Sequence, residues 1–313
     1  MHDHRAHSDV HRHSHHHGNH EPADFNRAFA IGIALNGGFV AIETVYGFLA
    51  NSLALLADAG HNLGDVLGLL LAWVAAVLVK RRPTRRHTYG LKRSSILASL
   101  VNAILLLVAV GMILWEAVQR LARPEPFAET TVIWVAAIGI GINAATALMF
   151  RSGRKSDINV RAAFMHMAAD AAISLGVVFA ALLVMATGWL WLDPVVGIAI
   201  ALAIAYGTWS LFAASMNLAL DAVPANIDRQ AIEAYLAALP GVSELHDLHI
   251  WAMSTTEVAL TAHLVRPGAE LDDELLGHAA HELHDRFGIG HCTIQVESGD
   301  PAHPCRLAPA EVV

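Results

Sequence analysis

The apolar positions of this chain fall in long unbroken runs rather than in stripes. Six runs, at about 28–49, 53–79, 94–121, 132–150, 162–186 and 190–213, are long enough to cross a bilayer as helices, which takes about 20 residues each. Only Ala50, Asn51 and Ser52 separate the first two, which predicts a tight antiparallel hairpin. After 213 the pattern changes. Residues 228–239 have helical periodicity and stop at Pro240-Gly241. Residues 244–253 and 257–266 read as strands, the second with Val258, Leu260, Ala262 and Leu264 on one face. Residues 272–286 read as a helix, and 289–297 alternate again. The order α-β-β-α-β predicts a small ferredoxin-like sheet with helices on one face. The expected fold is therefore an all-α membrane bundle of six transmembrane helices plus a small α/β domain. Its divisions are a histidine-rich segment at 1–26, a membrane domain at 27–213 and a cytoplasmic domain at 214–313, which ends in an irregular tail.

Composition agrees: 55% of the residues are hydrophobic and 15% charged, where a soluble domain carries about 25% charged residues. Charge is unevenly placed. The loop KRRPTRRHTYGLKR after the second run holds seven Lys/Arg, and RSGRKSDINVR after the fourth holds four. Basic loops stay in the cytoplasm, so both termini are expected there. Residues 214–313 carry fifteen acids against four Lys/Arg. Such a domain repels nucleic acid and attracts cations. The two cysteines, Cys292 and Cys305, make no disulfide framework, which suits a reducing compartment. The N-terminus has no apolar core before Ala28 and does not read as a signal peptide, so the first run is expected to remain as an anchor. Nine of its first twenty residues are histidine, interleaved with Asp, Arg and Ser. That spacing reads as a native tract that gathers metal loosely rather than as an expression tag.

Ionisable residues inside the runs carry the chemistry. His61 and Asp65 in the second and His166 and Asp170 in the fifth repeat one pattern, HxxxD. Residues four apart share a helix face, so each helix presents an imidazole beside a carboxylate. Two such helices together offer two nitrogens and two oxygens, a set suited to tetrahedral zinc. Magnesium and calcium would demand more oxygens, and copper(I) would favour sulfur, which no run supplies as cysteine. Cobalt and nickel remain compatible by ligand type. The competing reading, internal salt bridges that fasten helices, explains one HxxxD pair better than two on separate runs. Asp58 is read as a cap near the start of its helix, with an extra ligand or entry group as alternatives. Glu43, on one face with Asn36, is a candidate proton or metal relay. Asn102, Glu116, Asn143 and Asp193 read as interhelical glue or end groups.

In the tail, His263, His291 and Glu297 have the parity opposite to the apolar positions and should face away from the helices. His246 is placed to join them, with Cys305 or His303 nearby, in a second metal site. The alternative is ordinary exposed histidines. His278, His281 and His284 read as surface residues.

NSLALLADAGHNLGDVLGLLLAW, RRHTYGLKRSSILASLVNAILL, FMHMAADAAISLGVV and HDLHIWAMSTTEVALTAHLV, in that order, resemble the cation diffusion facilitator family. They are most similar to its zinc-transporter branch with His and Asp on both metal-binding helices. The resemblance runs from about Asn26 to Glu297. It implies a homodimeric zinc/proton antiporter of a bacterial inner membrane that exports Zn2+ through His61, Asp65, His166 and Asp170. It also implies a metallochaperone-like cytoplasmic domain with a site at His246, His263, His291 and Glu297. His87 matches a loop histidine that some relatives use as an extra site. Some relatives end in a CxxC pair, whereas only Cys305 stands here. Metal binding needs neutral histidines and ionised aspartates, so protons compete for the site. No ATP-binding motif occurs, which leaves an ion gradient as driving force. Cobalt, cadmium or nickel are alternative cargoes. An intramembrane zinc metallohydrolase is the rival class, disfavoured because four protein ligands leave no open water position.

Overall fold

The computed structural model describes residues 25–150, 158–268 and 272–309. The histidine-rich segment and the loop at 151–157 lie outside the described residues. Six long helices come first: α1 (Phe25–Ala50), α2 (Leu53–Val79), α3 (Ser94–Ala122), α4 (Glu129–Phe150), α5 (Ile158–Thr187) and α6 (Leu192–Ala219). Five of them, α2 to α6, hold stretches long and apolar enough to cross a membrane, and α1 contributes the shorter apolar stretch Ala34–Ala50 among its described side chains. Trp73, Trp115, Trp134, Phe179, Tyr206 and Trp209 point outward, each well exposed. Apolar exposure on that scale around a helix bundle is what a hydrocarbon solvent accommodates and water does not.

Helix α2 is the hub. It packs against α1, α3, α5 and α6, while α4 lies along α5 and α3 along α6. Phe39, Leu55, Val132, Val177 and Ile200 meet in the shared core. The α1–α2 turn closes through Asn51, in the left-handed region at φ 57, a conformation that asparagine tolerates better than most residues. Ser52 then caps α2 by accepting from the Leu55 amide at 3.2 Å.

A second cap comes from another helix. Asp193, in the first turn of α6 and 4% exposed, accepts from the Leu53 amide at 2.7 Å and the Ala54 amide at 3.3 Å, and from the Ser52 hydroxyl. The first amides of a helix have no partner within it, so one carboxylate here satisfies donors that lipid could not. Close approach makes this possible: a Cβ on Gly197 would sit 3.1 Å from the Leu53 carbonyl carbon.

The tail domain follows as α7 (Arg229–Ala237), β1 (Glu244–Ala252), β2 (Val258–Val265), α8 (Asp273–Phe287) and β3 (Ile289–Glu297). The sheet order is β1-β2-β3. β1 pairs antiparallel with β2, and β3 joins the other edge of β2 in parallel; a parallel neighbour needs a crossover, which α8 supplies. Asp272 caps α8 through the Leu275 amide, and Gly288 ends it at φ 72. Leu260, Ala262 and Leu264 of β2 are buried against Ile232, Leu236, Ala279 and Leu283, so both helices cover one face, as the strand alternation predicts. The tail is thus a small domain with a three-stranded sheet and helices on one face, as expected.

Polar contacts tie the two parts together. Lys92 pairs with Glu257 and Arg93 with Asp221, and the Thr255 amide donates to the Ser95 hydroxyl at 3.1 Å. The basic loop between α2 and α3 thus rests on the acidic tail domain.

Asp193→Ala is expected to leave the Leu53 and Ala54 amides unpaired at the buried α6 contact. The loss should destabilise the protein by about 1–3 kcal/mol, the cost of orphaned buried donors. Thermal unfolding in detergent measures it; an unchanged melting temperature would show that α2 does not depend on this cap.

Candidate metal centres

The α2–α5 contact brings the two HxxxD pairs together. The His61 Nε2 atom is 3.8 Å from Asp65 Oδ2 and 3.4 Å from Asp170 Oδ1. On the facing helix, His166 Nε2 is 3.2 Å from Asp65 Oδ2 and 3.7 Å from Asp170 Oδ2. Each imidazole therefore reaches the carboxylate of the other helix as closely as its own. The rings stand edge to face with centroids 6.0 Å apart. His61, His166 and Asp170 each offer an atom within 4.8 Å of the others, and Asp65 closes the set from the side. Asp65 lies twelve residues beyond Leu53, about 18 Å along a helix about 40 Å long, so the cluster sits near mid-span. Asp170 has 2% of its side chain exposed, while Asp65 and His166 have 37% and 40%. The cluster is thus closed behind Asp170 and open in front, a geometry that admits a small cation from one side.

Its surroundings correct one expectation. Asp58 does not cap α2, because Ser52 and Asp193 fill that role. It lies six residues from Ser52 and is fully buried against α5, where its Oδ2 accepts from the Ser174 hydroxyl at 2.7 Å. Glu43 of α1 is also fully buried and accepts from the Asn62 amide at 3.0 Å. Asn36 does not bond to Glu43; its amide points to the Met167 sulfur at 3.4 Å.

The second cluster is in the tail domain, on the sheet face away from its helices. His246 of β1 lies opposite His263 of β2, and Val265 pairs with Glu297 of β3. Glu297 Oε1 is 3.0 Å from His263 Nδ1 and 3.5 Å from His246 Nε2. The tail folds back to place the Cys305 sulfur 3.6 Å from His263 Nδ1. His246, His263, Glu297 and Cys305 each give an atom within 4.8 Å of the rest. Both His246 nitrogens are buried without a hydrogen bond among the described residues, and a buried polar atom left that way calls for a partner such as a metal ion.

His291 stands apart from this cluster. Six residues separate it from Glu297 on one strand, about 20 Å at strand rise. Its ring instead meets Tyr89 of the basic loop edge to face at 5.5 Å. Equal parity puts two side chains on one face but not at one point. His303 also stays out and pairs with Asp300 at 2.9 Å. His278, His281 and His284 are exposed, as expected.

Sequence reasoning missed Asp247. The β1–β2 register slips between His246 and His249, and Asp247 in that bulge has φ 51. The bulge re-aims its carboxylate at His263 Nε2, 3.3 Å away, and at His249 Nε2, 2.8 Å away. A bulge in mid-strand leaves little trace in a hydropathy pattern. Burial favours the protonated form of the Glu297 carboxyl, but the Cys305 thiol, the Gln295 amide and two imidazoles together hold it below the usual carboxylate range. For Cys305 the Leu307 amide favours the thiolate, yet the adjoining Glu297 carboxylate outweighs it and keeps the thiol above its ordinary range. A cation would reverse that balance.

Residues 29–218 match the family described as Cation efflux transmembrane domain, and residues 224–299 match Cation efflux protein, cytoplasmic domain. The chain is 37% identical over 299 residues to the Metal cation efflux system protein CzcD of Cupriavidus metallidurans, covering 95% of this chain and 92% of that protein. It is 36% identical over 295 residues to the Zinc transporter ZitB of Escherichia coli, covering 93% and 94%. To the Cadmium, cobalt and zinc/H(+)-K(+) antiporter of Bacillus subtilis it is 33% identical over 290 residues, covering 90% and 91%.

The lowered Glu297 group fixes a pH response. A depressed carboxyl contributes stability that is fully present above its unfolded value, 4.5, and is lost as pH falls through its folded value. Metal-free protein should therefore lose tail-domain stability in acid below about pH 4.5, and Glu297→Gln should flatten that part of the profile. Melting temperature against pH reads it; parallel profiles for the two proteins would contradict the assignment.

Proposed function

Because the chain belongs to the cation efflux family, we propose that it exports Zn2+ from the cytoplasm in exchange for protons, through His61, Asp65, His166 and Asp170. One observation carries this reading: across two helices at mid-span, each of the two imidazole Nε2 atoms lies 3.2–3.8 Å from an oxygen of both Asp65 and Asp170. Two imidazoles and two carboxylates, on helices that carry no cysteine, suit a tetrahedral zinc ion. The cargo's double charge is offset by Asp65 and Asp170, so the loaded site is electrically tolerable inside the bilayer. Unloaded, the same atoms are free for protons, and metal and proton compete for one set of lone pairs. A proton-rich outer face then favours metal release there, and a neutral cytoplasm favours loading. Tilting of α5 against the α2 hub opens the site to either side in turn.

The chain is a transporter rather than an enzyme. In this reading all six helices span the lipid bilayer, α1 included, with both termini in the cytoplasm of a bacterial inner membrane. The divisions at 1–26, 27–213 and 214–313 stand as histidine-rich tract, transport domain and ferredoxin-like regulatory domain. The transporter works as a homodimer joined in part through the tail domains, and nucleic acid is not a partner. His246, His263 and Glu297, with Cys305 in place of His291, form a second zinc site that senses cytoplasmic metal. A ligated cation there offsets charge on a strongly acidic domain and draws two copies together. Cadmium and cobalt are secondary cargoes, since the Bacillus relative is named for them.

Zinc uptake into inside-out proteoliposomes with a trapped pH dye tests the whole reading. Wild type should import zinc and export protons. Asp170→Ala should abolish both while the protein still inserts and folds; wild-type flux in that variant would sink the site. A separate expectation concerns selectivity: His61→Asp exchanges a nitrogen ligand for oxygen and should raise cadmium flux relative to zinc several-fold. Paired uptake curves decide it, and an unchanged ratio would mean that cavity shape rather than ligand type selects the metal.

A further inference from the structure

Glu43 of α1 and Asp58 of α2 form an acidic pair that the four-residue cluster does not use. Both side chains are fully buried, and their carboxyls meet at the α1–α2 contact. One oxygen of each is held by a neutral donor, Glu43 Oε2 by Asn62 and Asp58 Oδ2 by Ser174. The other oxygen of each, Glu43 Oε1 and Asp58 Oδ1, has no donor among the described residues. Neither carboxyl hydrogen-bonds to any of the four cluster residues among those described.

Among the described side chains of α1, α2, α4 and α5, no Lys or Arg balances this pair. From Ala34 through α1, through α2, and from Phe164 through α5 there is no Lys or Arg. Helix α4, packed on α1, has no charged side chain after Glu129, and its buried polar groups are Asn143 and Thr146. Asp193 of α6 is committed to the α2 cap. The titratable groups that face the pair are Asp170 of α5, which adds negative charge, and His61 of α2. Two adjacent carboxylates in a dry, anion-bearing pocket cannot both stay ionised. Two carboxyls in contact, each with one oxygen that lacks a donor, are what one hydrogen bond between an acid and its conjugate base satisfies.

We propose that Glu43 and Asp58 share one proton, and that this proton leaves when a divalent cation enters the neighbouring His61/Asp65/His166/Asp170 cluster. Asp58 lies three residues before His61, about 4.5 Å along the helix axis. In a water-poor interior a double positive charge so close weakens the pair's hold on a proton. The pair is then a proton-binding site coupled to metal through space and not a metal ligand. Its position is also directional. Asp58 and Ser174 lie on the side of the cluster nearer the α1–α2 turn, so a proton reaching the pair from that end meets it before the metal atoms. The coupling rests on the metal reading of the cluster, whereas the shared proton itself does not.

Infrared spectra of the metal-free protein in lipid nanodiscs, titrated in pH, test the proton. Wild type should keep a protonated-carboxyl carbonyl band above pH 7, and that band should be absent in both Glu43→Gln and Asp58→Asn. Each amide mimics the protonated partner and donates to the remaining carboxylate, so the packing is retained. A wild-type spectrum without the band overturns the proposal, whether or not the variants fold. Zinc binding tests the coupling: zinc added to wild type should remove the band, and Glu43→Gln should release about one proton fewer per zinc than wild type. Its apparent zinc affinity should change less steeply with pH, by about tenfold per pH unit at most. Equal proton release in both proteins overturns the coupling. A protein that keeps the band but binds no zinc would refute the metal reading and leave the shared proton standing.

Discussion

The membrane half is organised around ionisable groups that must be satisfied where water is scarce. Asp170, nearly fully buried, faces His61 across the α2–α5 contact, and His166 reaches back to Asp65. Each carboxylate thus has an imidazole from the opposite helix, which is why the pairs stabilise a contact between helices rather than two separate faces. Breaking α2 from α5 would strand all four groups in a low dielectric. Such a contact holds the helices in register while leaving one open side for an ion.

That register depends on what fixes α2. Asp193 joins the first turn of α6 to the start of α2, and Gly197 lets the backbones approach there. A Cβ on Gly64, beside Asp65, would come within 2.0 Å of Leu106, and one on Gly139 within 2.7 Å of Phe39. Small residues therefore set the spacing of α3 against α2 and of α4 against α1, the usual means of close helix packing in lipid. Opposed to these rigid contacts are the charge pairs between the basic loop and the acidic tail domain, Lys92 with Glu257 and Arg93 with Asp221. They are half-exposed and individually weak. The tail domain is thus held to the loop by surface pairs rather than by a shared apolar core.

The histidine clusters show how differently two sites can be written into one chain. In the membrane half, a single spacing, HxxxD, occurs twice, and helical geometry alone places each imidazole beside its carboxylate. In the tail domain the clustered side chains come from β1, β2, β3 and the returning tail, so no local spacing describes them. The bulge at Asp247 and the turn that returns Cys305 to His263 depend on the folded sheet.

Sequence alone determined what local physics controls. Run length marked the apolar helices, alternation marked the strands and their buried face, and the HxxxD repeat marked the four intramembrane residues, because helix and strand periods tie side-chain direction to position. Tertiary structure decided what depends on contacts between distant segments. It gave Asp193 the capping role that spacing assigned to Asp58, and buried Asp58 against Ser174 and Glu43 instead. It separated His291 from Glu297 by the length of a strand and brought Cys305 in. A helix or strand period fixes the face on which a side chain lies, while the partner it meets is set by how separate elements pack.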